Sequence, residues 1–145
     1  PTFLDPTFRE QVKARIRTLT PTSQRRWGTM TVDQMLWHLS AATELMMGKS
    51  TLDVTVPPIP GPIIRFVALQ LPWWRGMPTA PSFVARSRYD FEGERDRALQ
   101  AIDDLIATAA AGKLPRHPAF KTSDSAWLMA LQGKHFEHHL QQLGV

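Results

Sequence analysis

The chain reads as an all-α protein, four or five helices in one antiparallel bundle with long proline-rich connections. Three observations carry that reading. Four long segments repeat apolar residues at helical spacing, each bounded by capping or breaking residues. No segment alternates apolar and polar residues over the length of a strand. Most of the 12 prolines crowd into connections, at Pro57, Pro58, Pro60 and Pro62 and again at Pro72, Pro78 and Pro81. There they forbid a helix interior or a central strand.

The first helix is expected over residues 6–18, where Phe8, Val12, Ile16 and Leu19 recur between Arg and Lys. Pro21 breaks it, and residues 20–28 form a connector. Thr31 reads as an N-cap, with Gln34 three residues on to complete a capping box. That second helix runs to about Met47, takes its apolar bulk from Leu36, Leu39, Leu45 and Met46, and stops at Gly48. Residues 49–62 read as loop, followed by a short apolar helix over residues 63–71. The stretch 72–87 reads as irregular, but Trp73, Trp74 and Phe83 predict that it packs as a lid. A strong helix follows over residues 90–111, with Phe91, Leu99, Ile102, Leu105 and Ile106 on its inner face. Glu92, Glu94 and Asp96 lie in its first turns, where the helix dipole favours acidic groups. Gly112 and Pro115 end it. The last helix is expected to open at Ser123 as N-cap and to run through Trp127, Leu131, His135 and His139 to about Gln142.

Length and composition suit one domain over residues 1–145, with 43% hydrophobic and 21% charged residues. There is no cysteine, which excludes disulfides, thiolate catalysis and Cys-ligated zinc. No apolar run approaches the roughly 20 residues of a membrane-spanning helix. The first residues do not resemble a signal peptide. No membrane partner and a cytoplasmic location are therefore expected. The net charge is +4. The basic residues are scattered, however, without a Lys/Arg block or a nucleic-acid-binding motif, so no nucleic-acid partner is expected.

The chemistry concentrates near the C-terminus, where His135, His138 and His139 fall within five residues. A helix turns about 100° per residue, so His135 and His139 lie about 40° apart on one face. That is how one helix presents two imidazoles to a metal. His138 is about 60° from His135 and a poorer partner. Glu137 lies about 200° from His135, so it is not the general base of a His-Glu-x-x-His peptidase motif. A fourth histidine, His38, sits on the second helix beside Met35, Ala41, Ala42 and Leu45. The small residues at 41 and 42 leave room for a ligand or a neighbouring helix. Imidazoles without a thiolate suit Zn, Ni, Fe or Mn as divalent ions. The same residues also fit a bland arrangement, with His38 a hydrogen-bonded core histidine and the C-terminal histidines solvated near the helix end.

The segments 26–39 (RWGTMTVDQMLWHL), 78–81 (PTAP), 117–120 (HPAF) and 135–140 (HFEHHL) resemble the DinB/YfiT-like family of metal-dependent four-helix-bundle proteins, in a bacterial branch of it. The resemblance implies a metal triad at His38, His135 and His139, with His138 a non-ligand neighbour. It implies a site between helices and a homodimer. Some relatives of this kind use the metal with low-molecular-weight thiols, as S-transferases or as a maleylpyruvate isomerase, and others have no assigned activity. A small-molecule substrate follows as the expected partner, with a hydrolase as an equal choice of reaction. A non-catalytic metal- or ligand-binding bundle, acting as a stress-associated dimeric module, is the alternative. His117 matches a recurring residue of this branch, as an acid, a base, a substrate contact or a loop anchor. Five tryptophans (Trp27, Trp37, Trp73, Trp74 and Trp127) are candidates for pocket walls or for packing. Arg25, Arg26 and Arg75 are candidates for holding an anionic substrate or for solvated surface.

Overall fold

A computed structural model describes residues 1–145. It contains five α-helices and no strand: α1 (Pro6–Thr18), α2 (Val32–Met46), α3 (Gly61–Gln70), α4 (Phe91–Ala110) and α5 (Ser125–Gln142). A 3-10 turn over Pro81–Phe83 interrupts the second proline-rich stretch. The periodic segments thus form helices where expected, with small shifts at their ends. The third helix starts at Gly61, because Pro62 suits the first turn, where its missing N–H is no loss. The last helix is capped by Asp124 rather than Ser123. The Asp124 carboxylate accepts the Ala126 and Trp127 N–H groups at 3.0 and 3.4 Å, which satisfies two of the helix's orphan donors. At the start of α2 the capping box forms, and Gln34 Oε1 accepts the Thr31 N–H at 3.0 Å.

Helix α2 packs against α4 and α5, and α1 packs against the same two helices. One cluster of buried side chains joins them: Val12 and Ile16 from α1, Leu36 and Leu39 from α2, Ile102 and Leu105 from α4, Phe136 and Leu140 from α5. Each fully buried Leu, Ile or Phe contributes about 1.5–3 kcal/mol. Helix propensities differ by only about 0.7 kcal/mol among ordinary residues. Packing therefore decides which faces turn inward. On α4 the buried stripe is Phe91, Ala98, Ala101, Ile102 and Leu105, while Leu99 and Ile106 lie at its margin.

Phe3, to which the periodicity assigns no role, is completely buried. Its ring sits 5.5 Å from Phe8 and 5.2 Å, edge-on, from Phe136. Its backbone N–H donates to the Met129 carbonyl of α5 at 3.2 Å. Gly133 makes this approach possible: a Cβ there would lie 2.9 Å from the Pro1 carbonyl oxygen.

Asp33, in the first turn of α2, is 2% exposed. Its carboxylate accepts from Arg88 Nε and Nη2 at 3.0 Å, from the Tyr89 N–H at 2.8 Å and from the Thr31 hydroxyl at 2.7 Å. Burial alone would raise its pKa, but Arg88, Tyr89 and Thr31 outweigh burial and hold the carboxyl well below the usual range. This pair ties the start of α2 to the lead-in of α4. Arg88→Ala leaves a buried carboxylate short of its cation and is expected to lower the midpoint of urea unfolding. The double variant Asp33→Asn/Arg88→Ala is expected to lose less than the sum of the two single losses. Strict additivity would show that the pair does not couple the two helices.

No helix is long and apolar enough to cross a membrane. Helix α3 differs from the others, because none of its side chains is fully buried. It touches α5 and is held largely by polar contacts. The Lys134 ammonium, from α5, donates to the carbonyls of Ala68, Leu69 and Leu71 at 3.0, 3.0 and 2.6 Å. Arg65 reaches the Phe120 and Lys121 carbonyls at 3.0 and 3.2 Å.

Candidate metal centre

Helices α2 and α5 bring three imidazoles to one point. His38 is 5% exposed and His139 7% exposed, while His135 is partly buried. Their ring centroids form a nearly equilateral triangle, at 4.9, 4.8 and 4.8 Å. One nitrogen from each lies within 4.8 Å of the other two. Local sequence explains the aim of each ring. Leu36 and Leu39 seat α2 in the core and turn His38 toward α5. Leu131, one turn before His135 on the same stripe, is 4% exposed and fixes the rotation of α5.

Hydrogen bonds settle which nitrogen faces inward. His38 Nδ1 lies 2.9 Å from the Phe83 carbonyl. A carbonyl only accepts, so Nδ1 carries the proton and Nε2 presents its lone pair. His139 Nδ1 lies 2.9 Å from Gln142 Oε1. The Gln142 amide is oriented by its own Nε2, which donates to the Trp27 carbonyl at 2.9 Å. His139 therefore also donates through Nδ1 and turns a free Nε2 to the site. Such outer partners are the usual means of fixing metal-binding histidines. His135 Nε2 lies 2.9 Å from His38 Nε2. Two nitrogens bound tetrahedrally to one zinc at about 2.0–2.1 Å would sit about 3.3–3.4 Å apart, and in octahedral geometry about 3.0 Å. The cluster fits a first-row divalent ion after small ring rotations.

The electrostatics keep these rings neutral. Burial pushes the His38 pKa down, and His138 adds to the effect against the Phe83 hydrogen bond. Burial, reinforced by the neighbouring imidazoles, pushes His135 well down. Burial and His38 bring His139 to about 3. Neutral imidazole is the form that binds a metal.

The triad forms part of the wall of a cavity of about 300 Å³, at the low end of the range for small-molecule sites. Leu45, Met46, Ile64, Phe83, Phe120 and Leu131 supply much of the rest of its wall. No aspartate, glutamate, lysine or arginine lines it. His138 lines it as well, half-buried between Trp27 and Trp73 at ring distances of 5.8 and 5.6 Å. Glu137 lies elsewhere, paired with Arg15 at 2.6 Å. His117 lines the cavity from the loop before α5, outside the triad, and its Nδ1 accepts the Ala119 and Phe120 N–H groups at 3.1 and 3.3 Å.

Among the tryptophans only Trp73 lines the cavity, anchored by its indole N–H on the Ala68 carbonyl at 2.8 Å. Trp37 stacks on Tyr89, and Trp127 packs on Phe120. Trp74 stands 63% exposed, which corrects the expectation that it packs inward with Trp73 and Phe83. Arg75 lies over the Trp27 ring at 4.6 Å, and Arg25 and Arg26 donate to the Gly28 and Gly144 carbonyls. None of the three lines the cavity. The supporting groups Phe83 and Gln142 escape the sequence reading. Gln142 had a signal, since it follows His139 by three residues on the same helix, but a backbone carbonyl has none. No family model, curated protein or solved structure gives a match to the chain.

Proposed function

We propose that the chain is a divalent-metal protein that holds one ion on His38, His135 and His139 and receives a small, mostly apolar ligand in the adjoining cavity. The observation that carries this reading is the pair of Nδ1–H groups committed to Phe83 and Gln142, which leaves two Nε2 lone pairs aimed at His135. Zn, Ni, Fe and Mn all suit three neutral imidazoles. Within this reading the helices form a DinB/YfiT-like antiparallel four-helix bundle, and the protein works as a homodimer.

The reaction we favour is metal-dependent, a small-thiol-dependent S-transfer or a hydrolysis. A bound divalent ion supplies Lewis acidity toward an oxygen or sulfur of the ligand. The chain's residues supply the rest. Leu45, Met46, Ile64 and Phe120 hold an apolar body and exclude water, and Trp73 stands beside His135 and His138. With no cysteine, a thiol comes from the ligand. One observation favours a second reading, a non-catalytic metal- or ligand-binding module: the cavity lacks a carboxylate to move protons, leaving His138 as its only unengaged ring outside the triad and His117.

Elemental analysis of protein purified without a histidine tag tests the metal reading. Close to one ion per chain is expected. No uptake from Zn, Ni, Fe or Mn solutions would make the histidines structural. Metal-loaded protein inactive toward both thiol–acceptor pairs and esters would favour the binding module.

A further inference from the structure

His117 is a buried polar group of the cavity that the metal triad leaves unused. The residue is 6% exposed. Its Nδ1 accepts two backbone N–H groups, from Ala119 and Phe120. A nitrogen that accepts carries no proton, so the ring's single proton sits on Nε2. The loop reinforces that orientation, with the His117 N–H donating to the Thr122 carbonyl and the Lys121 N–H to the His117 carbonyl, both at 2.8 Å. Nε2 has no partner within the protein. The only side-chain polar atom both sealed from solvent and unpartnered is Ser40 Oγ. His117 Nε2 is therefore accessible, on a ring that lines the cavity.

We propose that His117 is a ligand-positioning residue whose Nε2–H selects small, mostly apolar ligands bearing an uncharged carbonyl oxygen, such as a ketone, ester or amide. This deepens the reading of the cavity as a ligand site and rests on it. The geometry rules out a base, since Nδ1 is already occupied and Nε2 carries the proton. Burial brings the ring's pKa to about 4, so it does not act as an imidazolium near neutral pH. An uncharged oxygen is the matching acceptor. The cavity wall has no lysine or arginine, so a carboxylate held beside His117, and not on the metal, would be buried without a protein counter-charge. A site built to donate one hydrogen bond discriminates against analogues that cannot accept it.

The test pairs acetophenone with ethylbenzene, which differ in the carbonyl oxygen. Binding is measured to wild type and to His117→Asn. Asparagine keeps an acceptor for the Ala119 and Phe120 N–H groups and removes the Nε2–H donor. The affinity ratio of ketone to hydrocarbon is expected to fall about 10-fold in the variant, the equivalent of one good hydrogen bond, with ethylbenzene binding unchanged. An equal ratio in both proteins, or no acetophenone binding, overturns the proposal. Imidazole 15N NMR of wild type at pH 7 is expected to show His117 with its proton on Nε2. A proton on Nδ1 overturns it independently of how the variant folds. Titrations of chelator-treated and zinc-loaded protein separate the two readings: failure of zinc uptake with the carbonyl preference intact removes only the metal.

Discussion

Alanine at any one of His38, His135 or His139 is expected to abolish stoichiometric metal binding. With one imidazole gone, two neutral nitrogens remain, and no nearby carboxylate can take the third place. Replacing Gln142 with leucine is a milder change. It deletes the acceptor for His139 Nδ1–H at 2.9 Å and frees the ring to adopt the wrong tautomer. Loss of such an outer partner costs roughly 10–100-fold in metal affinity, so Gln142→Leu should bind measurably but weakly. The ligand variants should fall below it. Isothermal titration with Zn²⁺, backed by circular dichroism to verify folding, resolves the order. Equal affinity in wild type and His38→Ala would remove His38 from the site. The mild variant matters because a merely structural His139 would give the same zinc affinity with glutamine or leucine at position 142.

Acid is expected to unfold the metal-free protein well before its carboxylates titrate. His117 falls from 6.5 to about 4 on folding, and His139 from 6.5 to about 3, both chiefly through burial. A histidine with a depressed folded pKa binds fewer protons folded than unfolded. Stability therefore rises with pH across the gap and is lost as pH falls below about 6.5. The loss stops growing only near pH 4 for His117 and near pH 3 for His139. Between pH 8 and pH 5 each of these rings costs about 2 kcal/mol. His38 and His135 shift in the same direction. Against a typical stability of about 5–15 kcal/mol, that is a large share. Urea unfolding of chelator-treated protein at pH 8, 6.5 and 5 measures it. A flat profile would mean that the histidines titrate as if solvated. Bound zinc should steepen the acid limb, because protonation also displaces the metal.

The helices were legible because their causes are local. Apolar residues at helical spacing, a Thr31–Gln34 box and glycines at helix ends act within a few residues. Half of the candidate site was legible for the same reason, since His135 and His139 share a helix face by geometry alone. His38 lies 97 residues from His135, and no local rule joins them. The residues alone leave His38 open between a third metal ligand and a core histidine, and the resemblance favours the triad. What remained hidden depends on tertiary packing. Phe83 contributes a carbonyl, which any residue would offer, and its place depends on how the 3-10 turn lies over α2. Phe3 is buried by Phe8, Phe136 and the space that Gly133 leaves, not by any periodicity around it. The shift of the α5 cap from Ser123 to Asp124 reflects two residues of equal capping ability side by side.

The attachment of α3 has an energetic consequence for the whole molecule. Its link to the rest runs largely through Lys134, Arg65 and the Trp73 indole, plus the partial packing of Ala68 and Trp73. Detaching it exposes little of the core, so its opening free energy is well below that of global unfolding, and its amides should exchange sooner than those of α2 or α4. Ile64, the one α3 residue on the cavity wall, thus belongs to a separate cooperative unit. Substitutions at Ile64 can reshape what enters beside the histidines while the melting of the core stays nearly the same, which leaves ligand preference free to drift at little risk to the fold.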